Sequence, residues 1–206
     1  AGGFGNAYGR LRYAPGYSVS TIWGNQIQPD GSVRADTPLG DANPRYLMGF
    51  SNDFTYGNFA VNTVIDYRRG GLVSNMTENL FDEGQNSYDY DAASPDPAIG
   101  ATLGAYRYNA WDGGHNTAQY LQDGSYTKIR EVTLAYTLPD RMVSKLSSIN
   151  AKSARLSLSG RNLFSISAYH GFDPEVNNGA AVVARFVDLA PFPPSRSFFL
   201  SVDLGF

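Results

Sequence analysis

Hydrophobic and polar residues alternate along several segments of the chain, and this alternation predicts β-strands. From Leu47 to Tyr56, large apolar side chains fall on every second position, with only Asn52 breaking the pattern. The segment from Phe59 to Arg68 repeats the alternation, and Gly57-Asn58 between them tolerates the positive φ values of a two-residue turn. Because period-two alternation places one set of side chains on each face of a strand, the two segments are expected to form a β-hairpin.

Three further segments show the same alternation and are predicted to be strands. They run from Glu131 to Leu138, from Ala154 to Leu163, and over the last ten positions, 197–206. A sixth strand is predicted from about Tyr13 to Trp23, although Pro15-Gly16 leaves its start open. Glycine and proline recur along the whole chain, and the segments between them follow period two rather than helical spacing. The pattern therefore indicates an all-β fold.

The lengths of the strands and of their links favour a membrane protein. Each predicted strand has about ten residues, close to the roughly 9–11 that a tilted strand needs to cross a bilayer. Two short links, Gly57-Asn58 and residues 139–152, alternate with long links over 24–44, 70–124 and 165–195. This asymmetry is typical of transmembrane β-barrels, which have short periplasmic turns and long extracellular loops. The alternative is a soluble β-sandwich, in which a second sheet covers the apolar face of each strand.

Composition supports the membrane interpretation and excludes several classes of protein. Charged residues make up 17% of the 206 positions, below the roughly 25% of ordinary soluble domains, while aromatic residues make up 14%. The chain contains no cysteine, which excludes disulfides, zinc–thiolate clusters and a thiol nucleophile. A net charge of −3 is unfavourable for a nucleic-acid partner. No apolar run reaches the roughly 18–20 residues of a membrane-spanning helix.

No sequence motif points to an enzyme. The chain lacks the nucleophile elbow G-x-S-x-G, the dinucleotide fingerprint G-x-G-x-x-G and the phosphate-binding G-x-x-x-x-G-K. Its two histidines, His115 and His170, lie in different links, and neither has a second histidine at metal-ligand spacing. Both are interpreted as polar loop residues. The sequence therefore predicts no catalytic residue and no cofactor.

The alternation also assigns side chains to the two faces of the predicted strands, one meeting lipid and the other a polar lumen. The residues expected to face lipid are Met48, Phe50, Phe54, Phe59, Val61, Ile65, Val132, Leu134, Leu156, Leu158, Leu200 and Val202. The polar residues expected to line the lumen are Asn62, Asp66, Arg68, Glu131, Arg155 and Arg161.

The longest link, 70–124, combines acidic and aromatic side chains. Asp89 and Asp91 are candidate oxygen ligands for Ca²⁺, with a solvated acidic loop as the alternative. Aromatic rings beside Asp and Asn can stack on sugar rings or hold peptide side chains, whereas the alternative is that they pack the loop or contact a partner protein. The aromatic residues proposed for substrate or partner contact are Tyr106, Tyr108, Trp111 and Tyr120.

Several separate blocks of residues resemble the SusC/RagA-type TonB-dependent transporters. The run from Asp123 to Val132 leads through Leu134-Ala135-Tyr136 to Leu138-Pro139 in the manner of that family. The later blocks, in family order, are Ser159 to Phe164, Gly171 to Asn177, Pro194 to Phe198 and the terminal Leu204-Gly205-Phe206. Upstream, the similar blocks are Pro15-Gly16-Tyr17, Trp23-Gly24, Gly40-Asp41, Asn43-Pro44 and Gly49 to Asn52. The resemblance spans nearly the whole chain.

The resemblance implies an antiparallel transmembrane β-barrel of about 22 strands, plugged by an N-terminal domain, of which residues 1–206 supply about six C-terminal strands with long extracellular loops. The plug and the TonB contact are expected upstream of Ala1. The implied function is outer-membrane, TonB-dependent import of oligosaccharides or peptides, without covalent chemistry. The implied partners are a SusD-like surface lipoprotein, TonB, outer-membrane lipid and the barrel assembly machinery.

The family also implies a role for the last residue of the sequence. Phe206 ends the terminal apolar face and resembles the aromatic signal that the assembly machinery reads during outer-membrane insertion. The alternative is a packing residue in the aromatic girdle at the membrane interface. For the chain as a whole, the alternative function is a soluble carbohydrate-binding β-sandwich or a surface adhesin module.

Overall fold

A computed structural model describes residues 2–3, 7–112, 115–145, 150–175 and 186–206. The chain divides into two compact units. The mixed unit consists of Ala1–Tyr46, Arg69–Ser125 and Ala168–Pro193, and the sheet unit consists of Leu47–Arg68, Tyr126–Ser167 and Pro194–Phe206. Among the residues just given, no helix is long and apolar enough to cross a membrane.

Strands dominate the described chain, in agreement with the all-β class predicted from the sequence. The strands are β1 (Gly2–Gly3), β2 (Arg10–Leu11), β3 (Thr21–Ile27), β4 (Val33–Asp41), β5 (Tyr46–Tyr56), β6 (Phe59–Arg69), β7 (Leu72–Asn75), β8 (Leu121–Asp123), β9 (Tyr126–Thr137), β10 (Ser153–Ser167), β11 (Val187–Asp188) and β12 (Ser197–Gly205). The helices are α1 (Met76–Glu83), α2 (Leu103–Trp111), α3 (Asp140–Val143) and a 3-10 helix at Thr117–Tyr120.

The sheet unit is a five-stranded meander in the order β12-β10-β9-β6-β5. The pairs β6–β9, β9–β10 and β10–β12 are antiparallel. The predicted hairpin is confirmed, because β5 and β6 are neighbours on either side of the Gly57-Asn58 turn. Gly57 has a φ of 56°, in the left-handed region that favours glycine, which explains the residue at this turn.

The strand register places the apolar side chains of the sheet unit on one face. Leu134 lies opposite Val61 on β6 and opposite Leu158 on β10, and Leu158 in turn lies opposite Leu200 on β12. The neighbouring row joins Tyr136, Leu156 and Val202 in the same way. Most of these side chains are exposed, and the exposed fraction of Leu200 is 71%. The common face predicted from the alternation is therefore present across four strands.

The opposite face of the sheet carries polar side chains that pair between strands. Thr133 and Ser159 lie directly opposite each other, and their hydroxyl oxygens are 2.7 Å apart. One pair further along, Nε of Arg161 donates to Oε2 of Glu131 at 3.0 Å. Hydrogen-bonded and oppositely charged cross-strand pairs each contribute a few tenths of a kcal/mol to about 1 kcal/mol, so this face is held together by polar contacts.

Two expectations about the strands need correction. The sixth strand, predicted from Tyr13 to Trp23, begins only at Thr21, because Gly16 with a φ of 82° lies in a turn closed by the hydrogen bond from Tyr17 N to Ala14 O. The long link 24–44 contains β4, which pairs with β3 through two register shifts. Such irregular pairing interrupts the alternation along the sequence, which explains why the pattern missed this strand.

The mixed unit contains the helices of the 70–124 link and two small sheets. β1 to β4 form one sheet, while β11, β7 and β8 form another, in which β7 and β11 are parallel. Its apolar core consists of Ile22, Met76, Phe186 and Val187. This core holds α1 beside β11, and it fixes the position of the polar cluster described below.

Candidate functional site

The first turn of α1 positions a buried glutamate. Asn75 caps the helix, and its Oδ1 accepts a hydrogen bond of 2.9 Å from the backbone N–H of Glu78. Its Nδ2 lies 3.3 Å from Oε2 of Glu78, so the two side chains satisfy each other in the manner of a capping box. The buried residues of α1 are mostly polar: Met76, Thr77, Glu78, Asn79 and Asp82. The helix therefore presents hydrogen-bonding groups to the interior of the unit.

Arg107 on α2 is the cation of this interior. Its guanidinium donates two hydrogen bonds of 2.7 Å to Asp82 and two more, of 3.0 and 2.8 Å, to Asp89. Burial alone would lower the pKa of Arg107, but the hydrogen bonds to these two carboxylates raise it above its ordinary value. The hydrogen bonds from Arg107 also lower the pKa of Asp89. These contacts favour the charged forms of Arg107 and Asp89.

Asp82 is fully enclosed and accepts further hydrogen bonds. The hydroxyl of Tyr120 donates to Oδ2 at 2.9 Å, and the hydroxyl of Ser87 donates to Oδ1 at 2.6 Å. Burial, and then the neighbouring Asp82 charge, raise the pKa of Tyr120, which stays a neutral donor. With Arg107 included, four hydrogen bonds compensate the burial of one carboxylate.

Glu78 is less well compensated than Asp82. Its Oε2 accepts from Nε2 of Gln122 at 2.5 Å, and its Oε1 lies 3.4 Å from Nδ1 of His170. Nε of Arg107 is 3.7 Å away, and its hydrogen is directed to Asp82. Burial raises the pKa of Glu78, although Arg107 and His170 favour its charged form. Desolvation thus outweighs the attraction of the available cations.

A fourth carboxylate, Asp188 on β11, lies in the same unit and is almost fully buried. Its Oδ1 accepts from the hydroxyl of Thr77 at 2.5 Å, and its Oδ2 accepts from the hydroxyl of Tyr169. Burial and then the hydrogen bond to Asp188 raise the pKa of Tyr169. Hydroxyl groups rather than a cation therefore solvate this side chain in the described residues.

A cavity of about 270 Å³ opens beside Glu78. Its walls are mostly apolar, with Glu78 as the acidic and His170 as the basic side chain among the lining residues. The lining residues are Asn75, Thr77, Glu78, Phe81, Asn86, Ser87, Tyr88, His170, Gly171 and Phe172. Gly171 is required here, because a Cβ at this position would lie 2.3 Å from the Tyr169 ring and 2.7 Å from Asp188. A concave site with a buried carboxylate at its base can bind a small polar group.

The four aromatic residues proposed for substrate or partner contact differ in their burial. Tyr120 and Trp111 are buried, with exposed fractions of 1% and 8%, as expected if these rings pack the link, and their contact with a substrate or partner stays a prediction. The indole N–H of Trp111 donates to the carbonyl oxygen of Ala7 at 2.8 Å. Tyr106 and Tyr108 are half-buried and do not line the cavity. Contact of Tyr106 or Tyr108 with a substrate or partner stays a prediction.

The calcium candidates are not brought together as a ligand set. Both carboxylate oxygens of Asp89 accept hydrogen bonds from Arg107, while Asp91 is exposed. Within the described ranges, no group of three His, Cys, Asp or Glu side chains has metal-site geometry. Calcium binding by Asp89 and Asp91 stays a prediction. Phe206, the proposed assembly signal, directly follows β12 and is exposed, and its role likewise stays a prediction.

Sequence reasoning missed the residues that form the cavity and its polar base. His170 lies outside the helices and strands, as expected of a loop residue, and its Nδ1 is 3.4 Å from Oε1 of Glu78, a contact that the sequence did not indicate. Arg107 and Asp82 are 25 positions apart, and no local pattern links them. One available signal was Asn75 followed three positions later by Glu78, which marks the start of a helix.

Comparison with known proteins gives relatives of one kind. The chain is 27% identical to TonB-dependent receptor P3 of Formosa agariphila over 187 residues, covering 82% of this chain and 17% of the receptor. It is 26% identical to TonB-dependent receptor P26 of the same organism, covering 86% of this chain and 19% of the receptor. It is 25% identical to the TonB-dependent receptor SusC of Bacteroides thetaiotaomicron, covering 82% of this chain and 15% of the receptor. No family model matches the chain.

Solved structures agree with these relatives on the fold. The RagAB peptide importer in its open-open state matches with a TM-score of 0.57 and 17% identity, covering 91% of this chain and 21% of that one. A second RagAB structure, in the closed-closed state, matches with a TM-score of 0.54 and covers 99% of this chain.

The comparisons show that the chain is similar to one class of proteins, the TonB-dependent receptors. Within it, the resemblance to the SusC/RagA type expected from the sequence is confirmed, and so is the outer-membrane location. The relatives are receptors and not enzymes, in agreement with the expectation that the chain carries no catalytic site. The chain spans between 15% and 19% of the length of these curated relatives.

Proposed function

We propose that this chain is the C-terminal barrel portion of a TonB-dependent outer-membrane importer of oligosaccharides or peptides. In this proposal the five strands of the sheet unit continue into a closed barrel of about 22 strands, completed by the rest of the polypeptide together with a plug domain. The long links over 24–44, 70–124 and 165–195 are extracellular loops in this proposal. The chain does no covalent chemistry.

The observation that carries this proposal is the segregation of the sheet unit into an apolar and a polar face. Val61, Leu134, Leu158 and Leu200 lie side by side across four strands. The adjacent positions carry Asn62, Thr133 and Ser159, with Phe199 at the end of the row. Lipid on one side and a polar lumen on the other require this arrangement. The similarity to TonB-dependent receptors, and to the structure of the RagAB peptide importer, points in the same direction.

The soluble β-sandwich is the weaker alternative. A sandwich buries the apolar face of each sheet against a second sheet, with the two about 10 Å apart. Phe198, Leu200 and Val202 on β12 are instead exposed by 68%, 71% and 62%. A water-soluble domain gains nothing from such an uncovered apolar surface, whereas a membrane protein buries it in lipid.

The partners follow from the same proposal. A SusD-like surface lipoprotein covers the extracellular end, TonB acts through the N-terminal part, and the barrel assembly machinery inserts the protein into outer-membrane lipid. Phe206 serves as the insertion signal, which its exposed ring beside β12 allows. The two faces of the sheet indicate neither the partner proteins nor whether the substrate is a sugar or a peptide. These parts of the proposal therefore require their own tests.

The experiment uses the complete polypeptide that contains this chain. We expect it in the outer-membrane fraction, soluble only with detergent, and we expect uptake of labelled peptides or oligosaccharides that stops when TonB is deleted. A matched strain lacking the polypeptide provides the uptake background. Recovery of the polypeptide as a water-soluble monomer without membrane association would contradict the proposal.

A further inference from the structure

The polar base of the cavity carries more negative than positive charge. In the described part of the mixed unit, the carboxylates of Glu78, Asp82 and Asp89 surround one guanidinium, that of Arg107. Asp82 and Asp89 take four of its hydrogen bonds. Glu78 lies 3.7 Å from Nε of Arg107 and accepts no hydrogen bond from it. The hydrogen bonds that its Oε2 accepts come from the neutral amides of Gln122 and Asn75. The site therefore has room for one more positive charge, next to Glu78.

The nearest other basic group is His170, whose Nδ1 is 3.4 Å from Oε1 of Glu78. This imidazole has half of its side chain exposed at the mouth of the cavity. Glu78 is thus a nine-tenths buried carboxyl group that lines an open cavity.

The walls of the cavity suit an alkyl stem that ends in a cation. Phe81, Tyr88 and Phe172 line it, and Tyr88 exposes 84% of its surface. Aromatic faces attract cations and also cover apolar stems. The volume of about 270 Å³ lies below the roughly 300–1,000 Å³ of sites that hold whole drug-sized ligands. The cavity is therefore of a size for one side chain rather than for an oligomer.

We propose that this cavity binds the side chain of a lysine or arginine residue of a peptide ligand, with Glu78 as its ion-pair partner and Tyr88 and Phe172 against its alkyl stem. The inference rests on the proposed import function and names a ligand class for one of its loops. An amino sugar carries its ammonium directly on a hydroxylated ring, which would bring unpaired hydroxyl groups against the mostly apolar walls. The slender, unbranched stem of a basic side chain avoids that cost.

The test measures binding of two blocked peptides to the complete polypeptide in detergent by isothermal titration calorimetry. The probes are acetyl-Ala-Lys-Ala-amide and acetyl-Ala-norleucine-Ala-amide, which differ only in the ammonium group. We expect the lysine peptide to bind at least about tenfold more tightly, as for a charge-assisted contact. Equal affinity for the two peptides would overturn the inference.

Variants assign the effect to this cavity. Glu78→Gln should remove the preference for the lysine peptide, whereas Glu83→Gln, at an exposed carboxylate of the same helix, should keep it. Tyr88→Ala, at an exposed position where folding is not at risk, should weaken binding of both peptides several-fold. A lysine preference that survives both Glu78→Gln and Tyr88→Ala would overturn the assignment. If Glu78→Gln fails to fold, an unchanged affinity in Tyr88→Ala overturns it.

A third probe separates peptide from sugar. D-glucosamine should bind no better than D-glucose, and binding of glucosamine that depends on Glu78, without binding of the lysine peptide, would overturn the choice of a peptide ligand. Failure of the inference is distinguishable from failure of the proposed function. Loss of lysine selectivity with intact TonB-dependent uptake contradicts only the inference, whereas absence of the wild-type polypeptide from the outer membrane contradicts the import function as well.

Discussion

Arg107 binds Asp82 through two parallel hydrogen bonds, from Nε to Oδ2 and from Nη2 to Oδ1, both 2.7 Å long. The guanidinium side chain is 9% exposed and the carboxylate side chain 0%. The pair joins α1 to α2, so it ties together two helices of the 70–124 link. A planar guanidinium matches a carboxylate in this way, whereas a lysine ammonium cannot.

The first prediction follows from this pair. Arg107→Met should destabilise the mixed unit by about 3–5 kcal/mol, because it leaves the fully buried Asp82 and the partly buried Asp89 without their cation. Hydrogen exchange of the backbone amides of α1 and α2 in the complete polypeptide measures the effect. The control is Arg12→Met, which removes a largely exposed ion pair to Asp36 and should cost only about 0–1 kcal/mol. Equal loss of protection in the two variants would show that the buried pair contributes nothing particular.

The second prediction concerns the hydroxyl of Tyr120. Tyr120→Phe keeps the buried ring but removes the 2.9 Å hydrogen bond to Asp82, so we expect a loss of about 1–3 kcal/mol. Tyr88→Phe, at an exposed ring, should change stability by less than about 0.5 kcal/mol. Hydrogen exchange in the mixed unit, measured at increasing denaturant concentration, distinguishes the two variants. An unchanged free energy of unfolding in Tyr120→Phe would contradict a structural role for its hydroxyl.

The third prediction is a pH dependence set by Glu78. Burial raises its pKa from the ordinary value of 4.5 in the folded chain, so the folded state favours the neutral acid. Its contribution to stability is therefore fully present below pH 4.5 and is lost as the pH rises through the raised pKa. Glu78→Gln removes this titration. The stability of the variant relative to wild type should rise across that window and then level off.

For Asp89 the pH dependence of stability has the opposite sign to that for Glu78, so Asp89 serves as the control for the third prediction. Its pKa is lowered by the hydrogen bonds from Arg107, so its stabilising contribution is present above its ordinary pKa of 3.8 and lost as the pH falls through the lowered value. Asp89→Asn should therefore lose stability relative to wild type at neutral pH, and the difference should shrink in acid. Parallel pH profiles for Glu78→Gln and Asp89→Asn would contradict the two environments seen here.

The sheet unit was predictable because its two faces differ in chemistry at most positions. β5 and β6 alternate without long interruptions, and Gly57 marks the turn, so period two and a local turn signal are sufficient. β9 extends to Tyr126, beyond the predicted Glu131, since a bulge between Glu131 and Ile129 shifts the alternation relative to its neighbours. A bulge changes the face on which the following side chains lie, so strict period-two alternation stops there although the strand continues.

The cavity was not predictable by the same reasoning. Hydrophobic periodicity finds a helix whose buried face is apolar, but α1 buries Glu78, Asn79 and Asp82. Their burial depends on Arg107, which arrives from a different helix, and on Tyr120 from the 3-10 helix. Such compensation is a property of the tertiary structure. The sequence indicated that the 70–124 link was rich in carboxylates and rings, without indicating which of them pair.

The last prediction tests the two faces of the sheet unit. Val61 lies in the apolar row with Leu134, and its neighbour Asn62 lies in the polar row with Thr133. The chain contains no cysteine, so Val61→Cys and Asn62→Cys each provide a single labelling site within it. In the complete polypeptide in lipid, a spin label at position 61 should collide with oxygen dissolved in the bilayer, and a label at position 62 with a water-soluble nickel complex.

The matched control lies two strands away, where Leu158 and Ser159 occupy the same two rows on β10. Labels at these positions should repeat the contrast, because the register carries the row from β6 through β9 to β10. A one-residue slip of any strand would exchange its faces and reverse the contrast for that strand alone. Matching accessibility at positions 61 and 62 would contradict the membrane assignment of this sheet, since a soluble or fully covered sheet offers the two labels no difference in solvent.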